Sequence, residues 1–356
     1  MNSLIAQGYG DGKAPAPARE PNRPRAMTET ASQHVTVFHR SRLLDIDSAE
    51  IIVTVPTFRR PEQLMRTLHS IEAQDFDRSY CVVVVDNDPE RLQGAKSAAA
   101  FLDTSELQGL VIVAHQRGNC HAYNAAWKMV RETFANYNAI AVIDDDEEAG
   151  SGWLRNLCET AERFSVDIVG APQIPVFESA RSQWLGFHPV FAPPYSSTGR
   201  VPILYSSGNA LIARQVLESM PMPYLDPAFN FIGGGDSDFY SRAQERGFLF
   251  AWCATAQVYE AVPERRVSAS WLTARSQREG AISALIETRR WPGASGRFKT
   301  ISKSLLMLAA SPLRAARLAM KSRSPAIGSY YIHVAIGRLL AEFGHVNEQY
   351  RNPEVN

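Results

Sequence analysis

Apolar residues follow two rhythms along this chain. Short runs rich in β-branched residues, at 51–55, 81–85, 110–114 and 139–143, have the length and composition of strands buried on both faces. Between them apolar residues recur at helical spacing. Leu64, Leu68 and Ile71 make one face of a helix opened by Pro61, a second helix is expected over 122–134, and Gly150-Ser151-Gly152 with Trp153 opens another. This alternation predicts an α/β fold with a mostly parallel central sheet flanked by helices. Further strands are expected at 168–173 and 209–214, and a helix runs from the Gly233-Gly234-Gly235 stretch through Arg246. Residues 177–198 are aromatic and proline-rich without a clear period, as a substrate-binding loop often is. Near the C-terminus, 301–320 and 327–343 pattern as amphipathic helices. Pro312, Arg314 and Arg317 interrupt the first, and neither holds the roughly 18 successive apolar residues of a membrane span. Helices of this kind suit a bilayer surface, the face of a catalytic domain or a second protomer.

Polar residues gather where the strands end. The run at 139–143 is followed by Asp144-Asp145-Asp146-Glu147-Glu148. Side chains alternate along an extended segment, so Asp144 and Asp146 point the same way. Two convergent carboxylates repel, and a hard divalent cation, Mg²⁺ or Mn²⁺, relieves that repulsion with phosphate oxygens completing its shell. A solvated acidic loop is the plainer reading. Ligands of open α/β sheets bind beyond the carboxyl ends of the strands. The 57–60 loop, Asp86 and Asp144–Asp146 all fall at such ends and could converge on one ligand. Asp236 follows three glycines at a helix start, where backbone amides favour a negative charge; there it is either a working carboxylate or a helix cap.

Composition narrows the classes. The 356 residues carry 37 Lys and Arg against 37 Asp and Glu, so charge gives no reason to expect a nucleic-acid partner. Cys81, Cys120, Cys158 and Cys253 show no zinc spacing and no disulfide framework. With no apolar leader at the N-terminus, a reducing, cytoplasmic setting is expected. Residues 1–45 are rich in Gly, Pro, Ala and Arg over their first part and read as a disordered arm, with Met27 as an alternative start.

Seven segments follow in order: Val55-Pro56-Thr57-Phe58-Arg59-Arg60-Pro61, Val85-Asp86-Asn87-Asp88, Gly118-Asn119 with Asn124, Ile143-Asp144-Asp145-Asp146-Glu147, Gly152-Trp153-Leu154, Gly234-Gly235-Asp236-Ser237-Asp238-Phe239 and Tyr259-Glu260-Ala261-Val262-Pro263. Together they resemble the family 2 inverting glycosyltransferases of the GT-A fold. The narrower likeness is to the bacterial exopolysaccharide branch that includes the glucosyltransferases of succinoglycan assembly. The resemblance implies that Pro56, Thr57 and Arg59 hold the nucleotide, that Asp86 recognises the nucleoside, and that Asp144 contacts ribose or base. Asn119 and Asp145 join the donor site, Asp146 binds the metal and Asp236 is the catalytic base. Trp184, Asn209, Asp238, Arg275 and Arg278 are candidate acceptor or phosphate contacts. Trp252 and Trp271 join Trp184 as candidates for stacking on sugar.

Three positions depart from the family pattern. Gly235 stands where a Glu is usual beside the base, Tyr123 where an Arg is common, and Tyr259 where a His often occurs. The Gln-x-x-Arg-Trp signature of processive relatives is absent, so a single addition is expected. The implied reaction moves a hexose, glucose from UDP-glucose, onto a growing oligosaccharide linked to polyprenyl diphosphate at the inner face of the plasma membrane. A decayed transferase kept for sugar binding or assembly, or a glycoside hydrolase with two carboxylates, are the alternatives. The expected division is an arm over 1–45, a catalytic domain over 46–290 and a C-terminal amphipathic helical region over 291–356.

Overall fold

A computed structural model describes residues 34–351. Its larger sheet has nine strands. From edge to edge they are β1 (Val35–Arg40), β4 (Gly109–Ala114), β3 (Tyr80–Asp86), β2 (Ile51–Thr57), β5 (Ala139–Ile143), β10 (Asn209–Ala213), β7 (Ile168–Gly170), β11 (Phe250–Trp252) and β9 (Gly199–Val201). β4, β3, β2 and β5 are mutually parallel and almost wholly buried. Alternate residues of these strands feed two cores. Ile51, Val53, Val55, Val82 and Val84 pack with α1 (Pro61–Glu72), α2 (Gln93–Leu102) and α4 (Trp153–Phe164). Ile52, Cys81, Val83 and Val85 pack on the other side with α3 (Asn119–Thr133), α5 (Arg214–Ser219) and α6 (Gly235–Glu245). Each fully buried Val or Ile contributes about 1.5–3 kcal/mol, which is why unbroken apolar runs sit here.

The far half of the sheet is mixed. β10 runs antiparallel to both β5 and β7, and Asn209 pairs with Ile143. The chain entering β10 therefore passes directly over the acidic run that leaves β5. A smaller three-stranded sheet of β6 (Glu147–Ala149), β12 (Val258–Val262) and β8 (Gln173–Phe177) continues from that run.

Two boundaries move. Residues 1–33 of the expected arm lie outside the described residues, but Val35–Arg40 form β1, antiparallel to β4. Their backbone amides and carbonyls supply hydrogen-bonding partners to what would otherwise be the open edge of the parallel half. The line drawn at 290 cuts through a packed layer, because α7 (Ala269–Arg290) is joined by α10 (Tyr330–Glu342), with α8 (Ala294–Ser322) and the short α9 (Pro325–Gly328) alongside. α7 and α10 meet at glycines: a Cβ on Gly280 would fall 2.0 Å from the Val334 carbonyl oxygen, and one on Gly337 1.9 Å from that of Gln277. Arg338, wholly buried, ties the layer together. Its guanidinium donates to the Ser304 hydroxyl on α8, at 3.2 Å, and to Ser283 and Glu287 on α7, the last at 2.6 Å. Pro312 does not end α8. The Leu308 carbonyl it leaves without an amide accepts the Ser311 hydroxyl at 2.8 Å instead. Among the described residues no helix is long and apolar enough to cross a membrane. All four cysteines are buried thiols.

Candidate active site

The acidic run makes a tight turn between β5 and β6. The Thr67 hydroxyl on α1 fastens it by donating to the carbonyls of Asp145, at 3.1 Å, and Glu147, at 2.7 Å. Within the turn the Asp144 amide donates to Glu147 Oε2 at 3.0 Å. Asp144 Oδ1 accepts the Tyr123 hydroxyl from α3. Asp145 turns inward, accepting the Thr57 hydroxyl at 2.8 Å and Arg60 at 3.1 Å. Asp146 Oδ2 lies 2.8 Å from Arg60 Nη1 and 3.6 Å from Arg266 Nη2, and Arg266 also pairs with Glu260 at 2.9 Å. Glu260 is the cross-strand partner of Glu147. Like charges placed directly opposite on neighbouring strands are destabilising.

Electrostatics record that crowding. Burial, then the neighbouring Asp146, pushes the Asp144 carboxyl up to about 7. Burial raises Asp145 to about 6 against the opposing pull of Arg60. Glu147 and Glu260 are raised as well, by burial first and by Asp144 or Asp146 next. Burial works against the Arg60 charge, but the carboxylates of Asp145, Asp146 and Asp144 outweigh it and raise its pKa. The donor set is hard oxygen, and it is overloaded with negative charge. Among the described residues no three metal-binding side chains are arranged to enclose an ion. A divalent cation needs no such nest when one or two carboxylates and a substrate diphosphate share it, so these residues fit one.

Asp236 reaches the same place from the other side. It sits in the first turn of α6, where its Oδ1 accepts the Ser237 amide at 2.7 Å. Its Oδ2 accepts the Ser207 amide at 3.1 Å. The next residue, Gly208, is pressed against the acidic turn: a Cβ there would lie 2.8 Å from Asp144 Oδ2 and 3.1 Å from Glu147 Oε1. Two consecutive residues before β10 thus carry the Asp236 carboxylate on one and face the Asp144 carboxylate with the other. Burial raises the Asp236 pKa, while the Ser237 and Ser207 amides and then Arg275 oppose the rise. Gly235 is packed closely, since a Cβ there would fall 2.8 Å from the Cys120 sulfur, which would have to shift.

The structure sorts the other expected residues. Pro56 and Thr57 end β2, and Arg59 follows in a left-handed conformation, φ 57°, with its Nε 2.6 Å from Asp88 Oδ2. Asn119 is exposed at the start of α3. Asp86 is different: it is fully buried, and its oxygens accept the amides of Asp88, at 2.9 Å, and Ala95, at 2.8 Å. Its carboxylate fastens the loop into α2, and Asp88, held by Arg59, stands next to it. Asn209 is also structural. It is buried, donates to the carbonyls of Pro172 and Ala256 and accepts Trp153 Nε1 at 2.8 Å, so its amide is engaged inside the fold. Asp238 is paired with Arg242 at 2.8 Å and lies 3.8 Å from Arg289. Arg275 and Arg278 part company. Arg275 pairs with Glu279 at 3.5 Å and acts on Asp236, whereas Arg278 is buried beside Gly337 and Leu340 of α10. Trp184 is exposed, Trp252 is buried in β11, and Trp271 stacks on Phe191 with ring centroids 6.1 Å apart. Reading the sequence alone assigned no role to Arg60, Arg266, Glu260 or Ser207. The pair of arginines just after the Tyr259–Pro263 segment was the available signal for Arg266.

Residues 52–220 match the family described as Glycosyl transferase family 2. They form a family 2 glycosyltransferase domain. The family expected from the ordered motifs is the one found. A curated relative of this glycosyltransferase is the succinoglycan biosynthesis protein ExoM of Rhizobium meliloti (strain 1021), 29% identical over 244 residues, which span 66% of this chain and 74% of ExoM. Among solved structures, the mannosyltransferase PcManGT of Pyrobaculum calidifontis, in complex with GDP-Man and Mn2+, aligns with a TM-score of 0.54 at 19% identity. It covers 82% of this chain and 87% of its own, a likeness of fold. S. aureus TarS 1-349 in complex with UDP aligns with a TM-score of 0.48 at 13% identity over 83% of this chain and 92% of its own.

Proposed function

We propose that this glycosyltransferase moves one hexose, glucose from UDP-glucose, onto a growing oligosaccharide of a surface polysaccharide, with inversion at the anomeric carbon. In this reading the acceptor is linked to polyprenyl diphosphate, and the protein works from the cytoplasmic side at the bilayer where that lipid is held. The observation that supports the reading is the Ser207–Gly208 pair, whose Ser207 amide donates to Asp236 and whose Gly208 lies against Asp144 and Glu147. The likeness to ExoM, a succinoglycan biosynthesis protein, supports the class of product. The Mn2+ bound by PcManGT supports a divalent cation.

The chemistry follows from the residues. Asp236 accepts the proton of the acceptor hydroxyl. The hydroxyl oxygen forms a bond to the anomeric carbon, the bond from that carbon to the diphosphate oxygen breaks, and the electron pair leaves with the nucleoside diphosphate. Attack from the side opposite the leaving group inverts the centre. The Ser207 and Ser237 amides aim the Asp236 carboxylate and keep it from being protonated as readily as burial alone would have it. Asp146 and Asp144 would hold Mg²⁺ or Mn²⁺, which supplies charge neutralisation to the departing diphosphate. Arg60 and Arg266, already beside Asp146, can turn to the same phosphates, as guanidinium geometry suits them.

The test is release of nucleoside diphosphate from a panel of nucleotide sugars, with Mg²⁺ or Mn²⁺ and with chelator, using the full chain and the Asp236→Asn and Asp146→Ala variants. We expect one preferred donor, dependence on added cation and loss of turnover in both variants, with the anomeric configuration of the product read by proton NMR. Variants that match the parent, or a product of retained configuration, refute the assignment.

A further inference from the structure

α8 is built inside out. The residues it buries are small or hydroxylated: Gly296, Thr300, Ser304 and Ser311. The residues it turns to solvent are large and apolar: Phe298 and Met320 are each 72% exposed, Leu306 70%, Leu313 59% and Leu305 53%. Helices of water-soluble domains usually do the opposite. At 3.6 residues per turn these five side chains fall within an arc of about 100°, a single stripe running most of a helix about 43 Å long. α8 carries six Lys and Arg and no Asp or Glu. Lys299, Arg314, Arg317 and Lys321 project along one flank of the stripe by the same helical count. The buried side is fixed by the Arg338 network, so the stripe cannot roll inward without breaking the bonds to Ser304, Ser283 and Glu287.

We propose that this stripe is a docking surface for an anionic lipid bilayer, with α8 lying in the interface plane. A one-sided apolar stripe edged with cations and free of carboxylates is what an interfacial helix requires, and it is too narrow to make a span. Charge complementarity decides between occupants. A second copy seated on the same face would bring cations against a helix with no carboxylate to receive them, whereas anionic headgroups receive them directly. The inference deepens the bilayer placement proposed above and rests on it, but docking is read without turnover, so its failure leaves the transfer reaction standing.

The experiment is co-sedimentation of the full chain with vesicles of phosphatidylcholine alone and of phosphatidylcholine with phosphatidylglycerol. The variants are Leu306→Ser with Leu313→Ser, and Arg317→Glu with Lys321→Glu. All four side chains are exposed, and thermal melting checks that each variant folds. We expect the parent to pellet with anionic vesicles, far less with neutral ones, and less again at high salt. Each double variant should bind anionic vesicles at least about tenfold more weakly, with unchanged hydrolysis of soluble nucleotide sugar. A parent that stays in the supernatant, or variants that pellet as the parent does, overturn the proposal. So does a parent that is dimeric by light scattering while the apolar double variant is monomeric, an outcome that gives the stripe to a second copy.

Discussion

Replacing Gly208 by Ala tests the close contact between the Ser207–Gly208 pair and the acidic turn. The added methyl would stand 2.5 Å from Gln173 Nε2, 2.8 Å from Asp144 Oδ2 and 3.1 Å from Glu147 Oε1, where ordinary contact starts at 3.4 Å. Gln173 must retreat by about 0.9 Å and Asp144 by about 0.6 Å for normal packing. Gln173 is the far end of a flexible side chain, although it also holds Glu147 and the Ser206 hydroxyl. Asp144 has less freedom, because the Tyr123 hydroxyl grips its other oxygen. A misplacement of 1 Å costs about a hundredfold in rate, so a shift of about 0.6 Å predicts a loss of ten- to a hundredfold in kcat. The cost to folding should stay near the lower end of the 1–3 kcal/mol typical of overpacking, about 1 kcal/mol, because side-chain ends rather than backbone must yield. The assay is steady-state release of nucleoside diphosphate at saturating donor, beside a thermal melt of the same preparation. A Gly208→Ala protein that melts within a few degrees of the parent and keeps its full kcat refutes the reasoning, since it would mean Asp144 is free to move without consequence.

Three further outcomes are expected. Asp236 works as a base only when ionised, so activity rises as pH passes upward through its pKa; removing the Arg275 charge, which opposes the rise caused by burial, should move the acidic limb of kcat/KM to higher pH in Arg275→Gln and leave it in place in Arg275→Lys. An unmoved limb in Arg275→Gln would separate Arg275 from the base. His188 is buried and its pKa is lowered to about 4, by burial first and then by His333, so the unfolded chain binds the proton more readily. Stability should therefore fall as pH drops from about 6.5 toward 4, by up to about 3 kcal/mol, and urea titrations across that window should show a flatter dependence in His188→Asn. Arg338→Met removes a wholly buried guanidinium from Glu287, Ser283 and Ser304 and should cost about 3–5 kcal/mol in urea unfolding. The low end is expected because Lys303 still pairs with Glu287; a loss under about 1 kcal/mol would show that the helical layer does not depend on this hub.

The parallel half of the sheet and its strand-end loops were legible because each is written in adjacent residues. Ile51 to Val55 and Ala139 to Ile143 announce buried strands, and the acidic run and the Gly-rich start of α6 follow from local pattern alone. What stayed hidden was decided by partners far along the chain. Asp86 accepts the amides of Asp88 and Ala95, and only the fold reveals that the turn into α2 lies over it. Asn209 opens an apolar strand with a polar side chain, which suggests a contact with ligand. Trp153, Pro172 and Ala256 occupy it instead, because three elements meet there and their polar groups need one another. β1 was lost in a stretch whose composition suggests an arm, although Val35, Thr36 and Val37 have the β-branched character of an edge strand. For α8 the period announces an amphipathic helix but cannot say which face meets the protein.

Gly235 shows how a departure from a family pattern changes meaning once the packing is known. In the sequence it is a missing carboxylate beside the base, and it invites the idea of a decayed site. In the fold it is the point where α6 passes the Cys120 sulfur, 2.8 Å from where a Cβ would stand, so a Glu could not be restored without displacing the Cys120 side chain. Charge around Asp236 is supplied otherwise: two backbone amides hold its oxygens, and Arg275 opposes the effect of burial. Arg275 is in turn held by Glu279, whose other oxygen accepts the Tyr330 hydroxyl from α10 at 2.7 Å. The surroundings of the base therefore reach into the C-terminal helical layer. A site that had merely lost its carboxylate would have no reason to keep Asp236 aimed by two amides and faced by an arginine that a second helix holds in place.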